Sequence, residues 1–302
     1  MVVTGVDGPL GRAVAIGLAR RGFTTDVTVT ARDPDALADL RMQGLRCVTV
    51  DYEDEASLRA AFRGVDRIFL VPTGGTSEVQ MRLTSQAIRA AVDVGVARLV
   101  YASEVNPAFI GRDDPAPVHA LPENLLVQSE IPHTVLRNNE FAEDLDPILA
   151  FAAETGRLVL GCREPIAYVA RQDVVDSAVE VMVGKGHEGC VYEMSGPEAL
   201  DRSQIAALLG SALGREVTID DRASSRLDDP RRSRLGDLGD ETLDRCGERD
   251  STEPSRDPGY LAGRPAIPVS NHIRDFVLDL VAPNRPAETS PGVRTVWEAV
   301  GL

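Results

Sequence analysis

Lysine is almost missing from this chain: of 32 lysines and arginines, Lys185 is the only lysine. Chemistry that needs a titratable amine therefore has one candidate. Cysteine and histidine are scarce too, with four of each. Cys47, Cys162, Cys190 and Cys246 form no CxxC pair and the histidines are dispersed, so no metal site is expected. Idle or buried thiols in a reducing compartment are the better reading. No apolar run approaches the ~20 residues that cross a membrane. Nothing ahead of the first strand reads as a signal peptide, so cytoplasmic residence is expected. Positive charge is outweighed: 47 acidic residues against 32 basic ones leave a net charge of −15. Such a field repels phosphate backbones and speaks against a nucleic-acid partner.

What is present is a rhythm. Near-continuous apolar runs at Met1 to Thr4, 24–31, 45–52, 66–72 and 97–103 alternate with helical patterns. The first helix reads RAVAIGLARRG, from Arg12. The second is capped by Asp33, with Pro34 at its first position and Gly44 past its end; the third runs from Glu55 to Phe62 and closes at Gly64; the fourth spans Glu78 to Val94. Apolar strands of this kind belong to a parallel sheet covered on both faces. The fold class expected is α/β, a Rossmann-like doubly wound parallel sheet with a small α/β C-terminal lobe. Ligands are expected beyond the C-terminal ends of its strands.

After Ser103 the pattern changes. Residues 104–118 read as a loop, a short helix begins near Pro122, and HTVLRN (133–138) is a sixth strand. FAEDLDPILAFAAETG is a helix that Pro147 kinks or breaks. IAYVARQDVVDSAVEVMVG reads as a strand entering a helix, and CVYEMSG as another strand. Asp201 and Gln204 form a capping box, and NHIRDFVLDLV is the last helix. The expected division is 1–139 for the dinucleotide-binding domain and 140–302 for the smaller substrate lobe, within which the chain returns to the sheet. Residues 222–258, aperiodic and rich in Asp, Arg, Ser and Gly, are expected to be a mobile or disordered cover.

The turn VTGVDGPLGR joins the first strand to the first helix, the context in which a glycine triplet has meaning. Gly5 permits the tight turn, Gly8 lets backbone N–H groups approach a diphosphate, and Gly11 lets the helix pack close. Gly5, Val6, Asp7, Gly8, Pro9, Leu10 and Gly11 are thus candidate cofactor ligands, at a helix N-terminus that favours anions. Asp7 is the discordant residue. At ~6 Å from a phosphate charge its carboxylate costs about 0.7 kcal/mol in water and nearer ~3 at an effective dielectric of about 20. That weakens binding without abolishing it, and the expected arrangement has Asp7 turned to solvent and capping a local N–H. Arg32 occupies the tip of strand two, where a basic residue receives the 2′-phosphate of NADP(H) and an acidic one binds the ribose of NAD(H). NADP(H) is the expected cofactor, with NAD(H) as the alternative. Asp51 and Tyr52, ending strand three, are placed to meet the adenine, and Val71, Pro72 and Thr73 to line the cofactor channel.

The stretches VTGVDGPLGR, ARDPDAL, VDYEDEASLRAAFRGVDRIFLV, ARLVYAS, HALPENLLVQSEIPHTVLRNNEF, ARQDVVDSAV and HEGCVYEMSGPEAL, with AGRPAIP ahead of the last helix, carry a family resemblance. They resemble the NmrA-like branch of the atypical short-chain dehydrogenases/reductases, and within it the NAD(P)H:quinone oxidoreductases of the second type. The likeness covers about 1–221 and 261–277. It implies an NADP(H)-dependent oxidoreductase that transfers hydride directly to a quinone or enone-like small molecule. Asn138, Asn139 and Phe141 would then border the nicotinamide and substrate.

This chain departs from the wider pattern. The Tyr-x-x-x-Lys proton relay of typical short-chain enzymes is absent: Tyr52, Tyr101, Tyr168, Tyr192 and Tyr260 are followed four residues on by Ala56, Val105, Gln172, Gly196 and Arg264. Relatives usually carry Glu-Lys where this chain reads Glu123-Asn124. Asn124 can hydrogen-bond a ribose hydroxyl but cannot shuttle a proton, and Lys185 lies in a turn far from the expected cleft. The remaining catalytic candidates are Asn124, His119 and Ser103, with Ser103, Asn124 and Asn138 also near the cofactor. Glu104 is a substrate candidate beside Asn139 and Phe141. A structural histidine at a loop end is the competing reading of His119. His119 and Glu123 are four apart, but Pro122 intervenes and no third ligand follows, so a metal is not expected. Ser103 lacks a G-x-S-x-G elbow, which argues against a hydrolase. Two other functions remain open: an NADP(H)-binding redox sensor without turnover, and a cofactor-retaining isomerase or dehydratase. A small-molecule substrate and a second copy of the chain are the expected partners.

Overall fold

The computed structural model describes residues 1–33, 35–107, 118–220 and 252–281. Pro34 and residues 222–251 of the expected cover lie outside them. The chain forms two compact units. The first comprises Met1–Asn138, Gln172–Met194 and Asp257–Arg264. The second takes the described parts of Asn139–Arg171, Ser195–Arg256 and Pro265–Leu302.

The first unit is built on seven parallel strands: β1 (Val2–Val3), β2 (Thr28–Ala31), β3 (Arg46–Thr49), β4 (Arg67–Leu70), β5 (Arg98–Glu104), β6 (His133–Asn138) and β8 (Val191–Met194). Their order is β3-β2-β1-β4-β5-β6-β8, the doubly wound order with its reversal beside β1. The helices are α1 (Pro9–Leu18), α2 (Ala38–Met42), α3 (Glu55–Phe62), α4 (Ser77–Asp93), α5 (Ala120–Ser129) and α7 (Arg171–Val183). β5 is the longest strand, and its first six residues are buried. Val2, Ile68, Leu99 and Tyr101 of the sheet pack with Leu58, Leu83, Ile88 and Leu126 of α3, α4 and α5. Asp33 does not cap α2 as expected: it accepts from the Asp35 N–H at 2.9 Å ahead of a 3-10 turn over Asp35–Leu37, and α2 begins only at Ala38, with Leu37 as its N-cap and no side chain capping it.

Arg98, at the start of β5, is buried and donates to the carbonyls of Val181, Met182 and Gly184 and to Glu188. It thereby satisfies carbonyls that the end of α7 leaves open. Beyond β8, helix α9 (Asp257–Ala262) presents Asp257, which accepts from the Glu193 N–H at 2.8 Å.

The second unit contains α6 (Asp146–Thr155), α8 (Arg202–Leu213), α10 (Val269–Val281) and a parallel pair of short strands, β7 (Arg157–Leu158) and β9 (Thr218–Ile219). Its core joins Ile148, Leu149 and Ala152 of α6 to Ile205 and Leu209 of α8 and Ile273 and Phe276 of α10. Pro147 ends one helical segment and starts the next: a 3-10 turn covers Ala142–Leu145, and Pro147 sits in the first turn of α6, where its missing N–H costs nothing. The Asp201–Gln204 capping box forms on α8. The expected strand at 166–170 does not form as a regular element. Val169 and Ile166 make isolated bridges to Phe141 and Leu200 instead, because neighbouring loop backbone takes their hydrogen bonds. Among the described residues no helix is long and apolar enough to cross a membrane.

Candidate active site

The glycine turn is fixed from below. The Val71 N–H donates to Thr4 Oγ1 at 2.9 Å, which ties the end of β1 to the end of β4. Gly5 has φ +63°, and a Cβ there would lie 2.9 Å from Val71 Cβ. A Cβ on Gly11 would stand 2.4 Å from the Thr4 carbonyl and 2.5 Å from that of Gly5. Gly8 differs, since its nearest neighbour would be the Gly5 oxygen at 3.5 Å. Protein packing therefore explains two glycines, and the third leaves backbone open to a ligand. Gly8 is the N-cap of α1 and no side chain caps the helix. The amides of Leu10 and Gly11, in the first turn, have no partner further back in the helix. A diphosphate fits that bare, partly positive end.

Asp7 is exposed and makes no hydrogen bond among the described residues. It turns to solvent as expected, but it does not cap a local N–H; the turn's own bond runs from the Gly8 N–H to the Gly5 carbonyl at 3.1 Å. At the next strand tips, Arg32 is 63% exposed and lies 3.8 Å from Asp51. Asp51 is held in place by the Glu53 N–H at 3.0 Å. Tyr52 is buried in the core, and burial raises its phenol pKa; Asp51 is the residue that stays exposed at this edge. Val71, Pro72 and Thr73 are half-buried at the end of β4, and the Thr73 hydroxyl is buried without a hydrogen-bond partner.

Two side chains from one face of β5 meet two from α5. Tyr101 and Ser103 are two apart on the strand; His119 and Glu123 are four apart at the start of the helix. The Tyr101 hydroxyl lies 2.8 Å from His119 Nδ1, and the Ser103 hydroxyl donates to Glu123 Oε1 at 2.6 Å. Strand and helix periods bring both pairs into register. Pro122, in the first turn, does not interrupt the helix. Glu123 also accepts from Arg137 of β6, at 3.1 Å from Nε and 2.7 Å from Nη2, and Arg137 reaches Glu193 at 3.0 Å. Glu123 thus pins α5 to the tips of β5 and β6, a role nothing in its local sequence announces. His119 Nε2 is buried, with Glu104 Oε1 3.4 Å away. Asn138 donates to the Ser103 carbonyl at 3.1 Å while its Oδ1 is buried and unbonded. Asn124, in α5, is exposed. Lys185, also exposed, follows the Gly184 carbonyl that Arg98 holds, at the opposite end of β5 from Ser103.

Asn139 and Phe141 belong to the second unit. Asn139 donates to the Ala167 carbonyl and Ser195 Oγ and accepts from the Glu140 N–H. The Arg171 guanidinium sits 5.3 Å over the Phe141 ring. Among the described residues no cluster of His, Cys, Asp and Glu could hold a metal ion.

A seven-stranded doubly wound sheet, with an uncapped glycine turn at its switch point, defines a dinucleotide-binding Rossmann protein. Residues 5–183 match the family model described as NAD(P)H-binding, and the chain belongs to that family. It is 31% identical over 223 residues to quinone oxidoreductase 2 of Escherichia coli, covering 72% of this chain and 76% of the relative. It is 34% identical over 228 residues to (4-alkanoyl-5-oxo-2,5-dihydrofuran-3-yl)methyl phosphate reductase of Streptomyces griseus, covering 73% and 76%. The crystal structure of the NADPH-dependent quinone oxidoreductase of Escherichia coli with NADPH superposes with a TM-score of 0.80 at 26% identity, over 91% of this chain and 99% of that one.

Proposed function

We propose that this chain oxidises NADPH by direct hydride transfer to a quinone or an enone-like small molecule. The observation that carries this reading is the state of Ser103. Its one hydroxyl proton is committed to Glu123 at 2.6 Å, so it can accept a hydrogen bond but has none to give. A simple ketone that takes hydride becomes an alkoxide and needs a donor in contact as it forms. Asn124 brings no acidic proton, and Lys185 is at the wrong end of the sheet. A quinone becomes a weakly basic phenolate, which can wait for its proton. The Escherichia coli relative, a quinone oxidoreductase, supports the same choice.

Bound NADPH supplies the hydride. The amides at the start of α1 would hold its diphosphate, Arg32 its 2′-phosphate, and Val71 to Thr73 the path toward the ends of β5 and β6. Asn138, with an unbonded Oδ1, would accept from the nicotinamide side, and Asn124 from a ribose hydroxyl. Glu104 would stand beside the acceptor. The test compares quinones with simple ketones at saturating NADPH, in the parent chain and in Asn124→Lys. Quinones should react far faster in the parent, and the new cation should raise the ketone rate more than the quinone rate.

A further inference from the structure

Quinone reduction consumes one proton for each hydride, and Ser103 and Asn124 do not provide it. The described residues contain one other chain of proton-bearing groups that reaches the C-terminal end of β5: Tyr101, His119 and Glu104. His119 is 4% exposed, with Nδ1 2.8 Å from the Tyr101 hydroxyl and Nε2 3.4 Å from Glu104 Oε1. Glu104 is the outermost member, with 36% of its side chain exposed. We propose that Glu104 delivers the proton to the reduced acceptor, that His119 stores and resupplies it, and that Tyr101 holds the imidazole in both of its charge states. This inference rests on the quinone reading above.

The phenol is the informative partner. Its oxygen can accept from Nδ1–H, which the ring keeps both as the imidazolium and after Nε2 has given up its proton. The ring can therefore change charge without losing its buried contact. Burial, with the charges of Glu104 and Glu123, holds the Tyr101 phenol well above its ordinary range, so it stays a phenol throughout. Among the described residues, the charged or titratable groups beside the ring are Tyr101 and Glu104 from β5 and Glu123 from its own helix. Glu123 is neutralised by Arg137 at 2.7 Å.

The proton count balances. Hydride on the quinone leaves a hydroquinone monoanion and oxidised cofactor. The imidazolium passes its Nε2 proton to the Glu104 carboxylate, the carboxyl so formed gives it to the anion, and solvent recharges the ring through the same part-exposed Glu104. The sum is one NADPH, one proton and one quinone giving one NADP⁺ and one hydroquinone. With the proton at rest on His119, delivery follows hydride transfer, so a phenolate is served and a transient alkoxide is not.

Two measurements test this on the full chain. The first needs no cofactor: with four histidines in the sequence, the ring 15N resonances of His119 can be followed by NMR. Glu104→Gln should move the Nε2 resonance and Tyr101→Phe the Nδ1 resonance, because each removes the group that faces that nitrogen. The second separates steps. In Glu104→Gln and His119→Gln the single-turnover rate of NADPH oxidation by a quinone should stay within about twofold of the parent. Steady-state kcat should fall by about 10²-fold, the size expected for a lost proton donor, and Glu104→Asp should recover part of it. His119 resonances unmoved by either change overturn the relay, as does an unchanged kcat, or single-turnover and steady-state rates that fall together. A parent protein that binds NADPH, shows the coupled resonances and yet turns over no quinone overturns the functional reading and the relay's catalytic role with it.

Discussion

Ser103 and Glu123 are joined by a 2.6 Å hydrogen bond across the β5–α5 interface, and Glu123 is 8% exposed. Glu123→Gln would replace an acceptor-only group with an amide and break the charge pairing with Arg137. The expected cost is about 2 kcal/mol, that of a lost charged hydrogen bond, read from urea denaturation. Ser103→Ala should cost less, about 1 kcal/mol, and should leave quinone turnover within about threefold of the parent. A collapse of quinone turnover in Ser103→Ala would mean that the hydroxyl donates to the acceptor after all.

The glycine turn separates packing from ligand binding. Gly11→Ala should unfold or severely destabilise the chain, because its Cβ would meet two carbonyl oxygens at 2.4 and 2.5 Å. Gly8→Ala should melt close to the parent and bind NADPH at least tenfold more weakly, since the space it fills belongs to the diphosphate. Asp7→Ala should bind NADPH as well as the parent or better. Differential scanning fluorimetry and calorimetric titration check the three together.

Arg32 should make NADPH bind more tightly than NADH by offering a guanidinium fork to the 2′-phosphate. Arg32→Ala should erase that difference. Asp51, 3.8 Å away, competes with the phosphate for the same cation, so Asp51→Asn should raise the preference for NADPH. Equal affinities for the two cofactors in the parent, by calorimetry, would contradict the assignment.

Much of this was legible in advance because it is local. The glycine turn, the capping box at Asp201 and strand β6 depend on residues within a few positions of one another. The clasp between β5 and α5 was not legible. Glu123 lies 20 residues from Ser103 and 14 from Arg137, and neither periodicity nor capping rules say which strand tip a helix carboxylate will meet. Arg137, polar within the apolar run HTVLRN, was the one available hint that a buried carboxylate waited nearby. Asp7 failed as a cap for a related reason: in this turn the Gly8 N–H bonds the Gly5 carbonyl. The two-residue pairing of β7 with β9 is too short to leave a strand pattern.

In the second unit, His272 Nε2 meets Asp146 Oδ1 at 2.7 Å. Burial alone lowers the imidazole pKa, but the hydrogen bond and charge of Asp146, with Glu143 behind it, raise it above its ordinary value against the opposing charge of Arg171. A raised folded-state pKa stabilises fully below the unfolded value of about 6.5, and that stability is lost as pH rises through the folded value. The melting-temperature gap between the parent and His272→Gln should therefore be wider at pH 6 than at pH 9. An equal gap at both would show that the charge contributes nothing.

The most direct test of the central claim is anaerobic NADPH consumption with a panel of benzoquinones and naphthoquinones, with NADPH affinity measured separately by calorimetry. Hydride transfer to quinones predicts firm NADPH binding and quinone-dependent oxidation, with one hydroquinone formed for each NADPH consumed. Firm binding with no quinone or enone accelerating NADPH oxidation would contradict it.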